Sequence, residues 1–151
     1  MRKSYREQEL SQHDFSDQNL SFTDFTEANL VRANLSGAKL MGSNFSEAIL
    51  WKTNLEKSDL RWAFLKGANL RWAKLEGADL EKAKLEGAKL EGANLEGANL
   101  EGADLRWADL SGADLKGANL EKAFLREAKY DDNTILPISG EEAQKRGMVK
   151  K

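Results

Sequence analysis

The sequence contains no cysteine, one histidine at position 13 and one proline at position 137. The absence of cysteine excludes disulfide frameworks, thiolate zinc sites and cysteine nucleophiles. A single histidine near one terminus removes histidine-based triads and multi-histidine metal sites, and it is typical of a structural residue. No glycine-rich phosphate loop joins a strand to a helix. We therefore predict that the protein is not an enzyme and needs neither metal nor cofactor.

Long apolar runs and an excess of one charge are also missing. Met1, Arg2 and Lys3 are followed by polar residues, so neither a secretory signal nor a membrane span is predicted, and the cytoplasm is the expected location. Lys plus Arg total 23 and Asp plus Glu total 25, for a net charge of -2. This balance gives no strong field toward nucleic acid or anionic lipid. The 151 residues fit one domain.

What the sequence does contain is a five-residue period. Leucine or phenylalanine occupies every fifth position from Leu10 to Leu125, and Tyr130 ends the series. From Ala28 to Ala128, a small side chain stands two residues before each of them, and it is mostly alanine. The remaining three positions of each unit are mostly polar or glycine. Two of five positions are therefore predicted to face a core and three to face water.

A period of five does not fit one continuous helix or strand. In an α-helix, five residues advance about 140° beyond a full turn, which would spread the leucines around the cylinder. In a straight strand, an odd period would send successive leucines to opposite faces. The chain must therefore turn once per unit, so that the leucines and alanines line one axial core and the coils stack about 4.8 Å apart.

Units such as A-N-L-E-G at 93–97 and A-D-L-S-G at 108–112 resemble the pentapeptide-repeat family over roughly residues 8–130. This resemblance implies an all-β fold, a right-handed quadrilateral parallel β-helix with twenty residues per coil and about six coils. The regular repeat and plain ends are similar to those of cyanobacterial members of the family.

We assign residues 1–130 to the β-helix and 131–151 to a C-terminal capping segment. The first coil, about residues 1–27, is polar: Gln8, His13, Gln18 and Thr23 replace alanine there, as suits a solvated end.

The C-terminal segment is predicted to form a short helical cap. Ser139 and Glu142 have the spacing of a capping box, and Gly147 is placed to stop the helix. A lid over the last coil would block the C-terminal dimerisation that some family members use, which favours a monomer. Five apolar residues are candidates to form this lid: Ile135, Leu136, Ile138, Met148 and Val149.

If residues twenty apart stack, the aromatic residues are unevenly distributed over the four faces. Aromatic and arginine side chains dominate interface hot spots, so they mark a candidate interaction surface. The alternative is stacking between coils, with Trp51 above Arg71 and Lys52 above Trp72 in cation-π contact. The candidate surface comprises Trp51, Trp62, Phe64, Arg71, Trp72 and Trp107.

The same map stacks glutamates in two columns. Like charges about 4.8 Å apart repel, which neighbouring lysines, solvent screening, a cation or a basic partner would relieve. One column holds Glu56, Glu76 and Glu96, and the other holds Glu81, Glu101 and Glu121.

The sequence favours a non-catalytic interaction scaffold for a protein partner that it does not identify. The alternative is DNA mimicry, because some family members resemble duplex DNA and bind DNA gyrase. Mimicry requires a rod dominated by negative charge, whereas cations such as Arg61, Lys66 and Arg106 are interleaved with the acids here. Binding of nucleic acid or of a membrane is not expected.

Overall fold

Four five-residue units form each coil of the protein. The computed structural model describes all 151 residues. Residues twenty apart pair in parallel on all four sides, as in Ser4 with Asp24 and Phe64 with Lys84. This register confirms that the chain turns once per unit and that four units close one coil.

Backbone hydrogen bonds connect each unit to its neighbouring coil and close its own turn. The Leu85 N–H donates to the Asp104 carbonyl of the next coil at 2.7 Å. The Gly87 N–H donates to the Arg106 carbonyl of that coil at 2.9 Å. The Ala88 N–H returns to the Leu85 carbonyl at 3.0 Å, as in a β-turn.

The asparagine or aspartate before the core leucine has a structural role in the turn. The Glu96 N–H donates to Asn94 Oδ1, and the Lys116 N–H donates to Asp114 Oδ1, both at 2.9 Å. The same bond to a side chain two residues earlier recurs along the rod. It satisfies an N–H at the start of the turn that makes no backbone hydrogen bond, which explains why Asn and Asp suit this position.

Each turn has a positive φ at its second outward residue, as the third residue of a type II turn requires. Glycine fills ten of these positions, for example Gly97 with a φ of 66°, and other residues fill fifteen, for example Lys57 with 55°. A left-handed conformation costs an L-residue about 1–2 kcal/mol. The fifteen residues other than glycine are therefore tolerated at a cost to stability.

Two neighbouring glycines allow this cost to be separated from steric contact. A Cβ on Gly87 would meet no atom within 4 Å, whereas a Cβ on Gly92 would lie 2.6 Å from the Trp72 ring. We expect Gly87→Ala to lower the free energy of unfolding by about 1–2 kcal/mol. Gly92→Ala should cost more, and the excess should disappear when Trp72 is also alanine. Urea unfolding of the two single variants and the double variant measures these losses. Equal losses for Gly87→Ala and Gly92→Ala would contradict a steric contact between position 92 and the Trp72 ring.

A continuous core fills the rod from Leu10 to Tyr130, with the leucine and alanine columns buried. This confirms the predicted two-in, three-out pattern. In the first coils, aromatic rings replace leucine: Tyr5 and Phe25 stack with ring centroids 5.2 Å apart, and Phe25 and Phe45 stack at 4.8 Å.

The polar first coil matches the prediction at three of its four positions. Gln8, His13 and Gln18 are exposed. Thr23, in contrast, is buried, so its assignment to a solvated turn was wrong. Thr23 lies where the chain has a neighbouring coil on each side. Ser4 pairs with Asp24 on one side, and on the other the Thr23 N–H lies 3.2 Å from the Ser43 hydroxyl.

After Tyr130, the register shifts by one residue, so that Asp114 pairs with Ile135. Strand β1, Lys129–Tyr130, pairs in parallel with strand β2, Val149–Lys150. Between them, helix α1 covers Gly140–Lys145, and the Ser139 hydroxyl accepts the Glu142 N–H at 3.0 Å. No helix combines the length and the apolar character needed to cross a bilayer.

The apolar residues of this segment are not all used as the sequence suggested. Met148 is buried, and Leu136 and Ile138 pack half-buried against the core. Ile135 and Val149 are exposed, because both pair at the outward-facing position of a unit. Ala143 of α1 is buried in their place.

Candidate interaction surface

The six predicted surface residues do not form one site. Trp62 and Phe64 line a common groove of about 330 Å³. Trp51, Arg71 and Trp72 lie outside it. Trp51 is half-buried because two cations cover its ring, whereas the other predicted aromatic residues are exposed.

We call Phe22, Gly42, Trp62 and Phe64 the aromatic corner. Phe22, Gly42 and Trp62 occupy the same turn position in three successive coils. The Phe22 ring lies over Gly42, where a Cβ would be 2.5 Å from a ring atom. Lys82 is the next residue of this column, and its ammonium lies 4.8 Å from the Trp62 ring centroid. Glycine at position 42 therefore makes room for the ring that begins the corner.

The stacking predicted for Trp51 was wrong in its partners. Arg32 and Lys52 lie over the Trp51 ring at 5.3 and 4.5 Å, instead of Arg71. Arg71 bonds instead to Glu91 in the next coil, with Nη2 3.2 Å from Oε1. A long side chain reaches either a ring or a carboxylate, and the charge-assisted hydrogen bond is the stronger contact.

The second predicted pair, Lys52 above Trp72, is also absent. Lys52 contacts Trp51, and the Trp72 ring lies over Gly92. Trp107 stands apart from these residues, with the Arg106 guanidinium 5.3 Å from its ring. These two tryptophans are 59 % and 52 % exposed.

Arg106 also neutralises Asp104, the one acidic residue that is buried as a whole. Its Nη2 lies 2.6 Å from Oδ2 of Asp104, and its Nε donates to Oδ1 at 2.8 Å. Burial raises the pKa of Asp104, but the hydrogen bonds from Arg106 and the positive charge of Arg106 lower it by more. The pKa of Asp104 therefore lies below its ordinary value. The paired Asp104 carboxylate thus stabilises the fold only while it is ionised.

Arg106→Met should therefore lower the melting temperature at neutral pH and have little effect in acid. A carboxylate with a depressed folded-state pKa adds stability above its unfolded pKa of about 3.9, and this stability is lost as pH falls through the folded value. The gap between variant and parent should therefore close as pH falls below about 4 and Asp104 of the folded parent becomes protonated. Arg126→Met, one coil away and without an ion pair, is the control. A gap independent of pH would contradict the ion-pair account.

The two glutamate columns are largely left to solvent. Lys82 lies 3.5 Å from Glu81, as expected from the sequence. Lys74, Lys116 and Lys122 form no ion pair within 4.0 Å, so they do not neutralise the columns directly. No three acidic or histidine side chains converge as metal ligands would.

The candidate surface omitted Phe22 of the aromatic corner and two lysines beside the corner, Lys82 and Lys84. Their signal was present in the sequence as a spacing of twenty. Positions 22, 42, 62 and 82 form one column, and positions 44, 64 and 84 form another, as the observed pairing shows.

Comparison with known proteins agrees with this architecture. The family model for pentapeptide repeats, which describes eight copies of the repeat, matches four overlapping stretches, at residues 9–47, 38–77, 53–92 and 88–126. No curated protein sequence gives a significant match.

Three solved structures illustrate the similarity. A pentapeptide repeat protein, Rfr23, from the cyanobacterium Cyanothece 51142 is 35 % identical, covering 84 % of this chain and 86 % of its own, with a TM-score of 0.44. One from the thylakoid lumen of Arabidopsis thaliana is 39 % identical, covering 67 % of each chain, with a TM-score of 0.40. QnrB1, a plasmid-mediated fluoroquinolone resistance protein, is 19 % identical over 99 % of this chain and 90 % of its own, with a TM-score of 0.43.

The matches to the repeat model together span residues 9–126, which is most of the chain. The chain therefore belongs to the pentapeptide-repeat family.

Proposed function

We propose that the protein is a non-catalytic scaffold that binds a protein partner through exposed aromatic side chains. The observation that carries this proposal is the location of Phe22, Trp62, Trp72 and Trp107. All four stand at the positive-φ position of a turn, and their exposed fractions run from 47 % to 59 %.

These positions favour glycine, and a large aromatic residue there is costly in two ways. The left-handed conformation costs about 1–2 kcal/mol relative to glycine. The exposed ring also leaves apolar area in water, whereas the core is complete without it. Aromatic side chains placed in this manner are typical of interface anchors, which regain that area when a partner covers them.

A variant with all four aromatic residues changed to glycine tests the proposal. It should unfold at an equal or higher urea concentration, because it relieves the strain, and it should lose the partners that cross-linking and affinity purification recover with the parent. A matched control replaces Glu27, Lys57, Lys122 and Glu127, also at positive φ, by glycine. The control should retain the partners; partners shared equally by all three proteins would contradict the proposal.

We infer that residues 131–151 close one end of a rod of about six coils and favour a monomer. The Arg146 guanidinium supports this inference, since its Nη2 donates to the Leu120 and Ala123 carbonyls at 2.8 and 2.9 Å. These carbonyls belong to the last coil, which has no further repeat to pair with. Buried Ala143 and Met148 cover the adjoining core.

DNA mimicry directed at gyrase is the alternative function. Ion pairs such as Arg61 with Asp59 and Arg106 with Asp104 place cations beside the acids and weaken a continuous negative surface. The likeness to QnrB1 concerns the fold alone at 19 % identity. Inhibition of gyrase supercoiling, or protection from quinolones, by the purified protein would favour mimicry over the scaffold. A cytoplasmic location remains a prediction from the sequence.

A further inference from the structure

The aromatic corner combines exposed rings with cations that have no carboxylate partner. The groove between its rings is lined by Arg2, Lys84 and the four corner residues, with no aspartate or glutamate among them. Neither Arg2 nor Lys84 has a carboxylate within 4.0 Å. Arg2 also lies over the Phe22 ring, with Cζ 5.9 Å from the centroid.

An adjoining hollow of about 310 Å³ extends the groove toward the first coil, past Lys3 and Asp24. The Asp24 carboxylate is already engaged, because Thr26 donates to its Oδ1 from both N–H and Oγ, at 2.9 and 2.6 Å. Phe22 and Trp62 are two coil steps apart, or about 10 Å at about 4.8 Å per step. An extended peptide of about three residues spans that distance.

The other exposed tryptophans lack these features. Next to Trp72, the Arg71 guanidinium is held by Glu91. Next to Trp107, the Arg106 guanidinium is held by Asp104. Lys66, which also lines the groove at Trp107, shares that groove with Glu86. The aromatic corner, in contrast, has unpaired cations beside exposed rings in a groove without a carboxylate.

We propose, on the basis of the scaffold function above, that the aromatic corner binds an extended acidic segment of a partner protein. Apolar side chains of that segment fill the groove between Phe22, Trp62 and Phe64. Its carboxylates pair with Arg2 and Lys84. Burial of the rings supplies the affinity, and the cations select for the acidic sequence.

The surroundings of the corner favour a peptide over a nucleic acid. Glu81, Glu101 and Glu121 form a column one residue before the column of Trp62, Lys82 and Lys122. A nucleic-acid strand that continued along the rod from Trp62 would meet this line of negative charge. A short peptide ends before it and needs only the local cations.

Selection from a phage-displayed library of random dodecapeptides on the intact protein tests this inference. We expect the enriched peptides to combine Asp or Glu with Leu, Phe or Trp. A labelled copy of the most enriched peptide should bind in fluorescence anisotropy, and binding should weaken as salt is raised. Trp62→Gly and Lys84→Glu should each weaken binding on the order of tenfold.

Matched controls are Trp72→Gly, at the same turn position, and Lys89→Glu, at the outward position of the next unit. Both should bind the peptide like the parent. Enriched peptides without acidic residues, no enrichment, or equal binding by all variants would overturn the inference. Binding of twelve-residue oligo(dT) that is tighter than binding of the peptide would overturn the inference in favour of a nucleic acid. Self-association through the corner, measured by sedimentation, would overturn it in favour of a second copy of this chain.

The peptide-binding test and the test of the scaffold function can give different outcomes. If partners are lost with the four-glycine variant but retained by Trp62→Gly and Lys84→Glu, the protein binds partners through other aromatic residues. In that case the scaffold function holds and the role of the aromatic corner does not.

Discussion

Phe25→Ala is expected to lower the free energy of unfolding by about 3–5 kcal/mol. Phe25 is fully buried and lies at the centre of the aromatic stack. Its ring is 5.2 Å from that of Tyr5, 4.8 Å from that of Phe45, and 6.1 Å from that of Phe15 in an edge-on arrangement. Removing it opens a cavity and takes away the ring that joins Phe45 to the Tyr5–Phe15 pair, whose own centroids are 5.5 Å apart. Urea unfolding followed by circular dichroism measures the loss.

Phe25→Leu is the matched control for volume. Leucine is the residue that later coils use in this column, at Leu65 and Leu85, so it suits the geometry of the repeat. The expected loss is below about 1.5 kcal/mol, as for other apolar exchanges of similar volume. A loss for Phe25→Leu as large as for Phe25→Ala would show that ring stacking, and not filled volume, stabilises the first coils.

Leu85→Ala should cost about 2–5 kcal/mol, because Leu85 is buried in the middle of the rod. It has a leucine of the same column on each side, Leu65 and Leu105. In a stacked repeat, each unit is stabilised by its interfaces with both neighbours, so a central cavity weakens two interfaces at once.

Leu10→Ala is the matched substitution at the end of the rod. Leu10 belongs to the first coil, has Leu30 on one side only, and is slightly more exposed than Leu85. We therefore expect a smaller loss of stability in the same urea measurement. Equal losses at both positions would contradict a nearest-neighbour account and indicate that the rod unfolds as one unit.

Such a rod separates stability from recognition. The core columns and the hydrogen bonds between coils carry the fold, whereas the outward positions are free to vary. The aromatic corner illustrates this: Phe22 lies two coils away from Trp62 and Phe64, yet the twenty-residue register brings all three to one groove. A rigid backbone of this kind holds a binding surface without the entropy loss of ordering a loop.

The sequence by itself determined the coil and its interior. The unbroken column from Leu10 to Leu125 and the small column from Ala28 to Ala128 can be buried only if the chain turns every five residues. The same period identifies the family, and the resemblance to that family implies the spacing of twenty that makes residues neighbours. The turn in each unit and the buried columns follow from the sequence because they depend on backbone geometry and residue size, which repeat in every coil.

Tertiary structure alone decided which neighbours make contact. Arg71 reaches Glu91 and leaves Trp51 to Arg32 and Lys52, although the column map allowed either choice. Long side chains select among several partners within reach, and the strongest pairing depends on the whole local arrangement. The same holds at the ends, where Thr23 becomes buried because neighbouring coils enclose it from both sides.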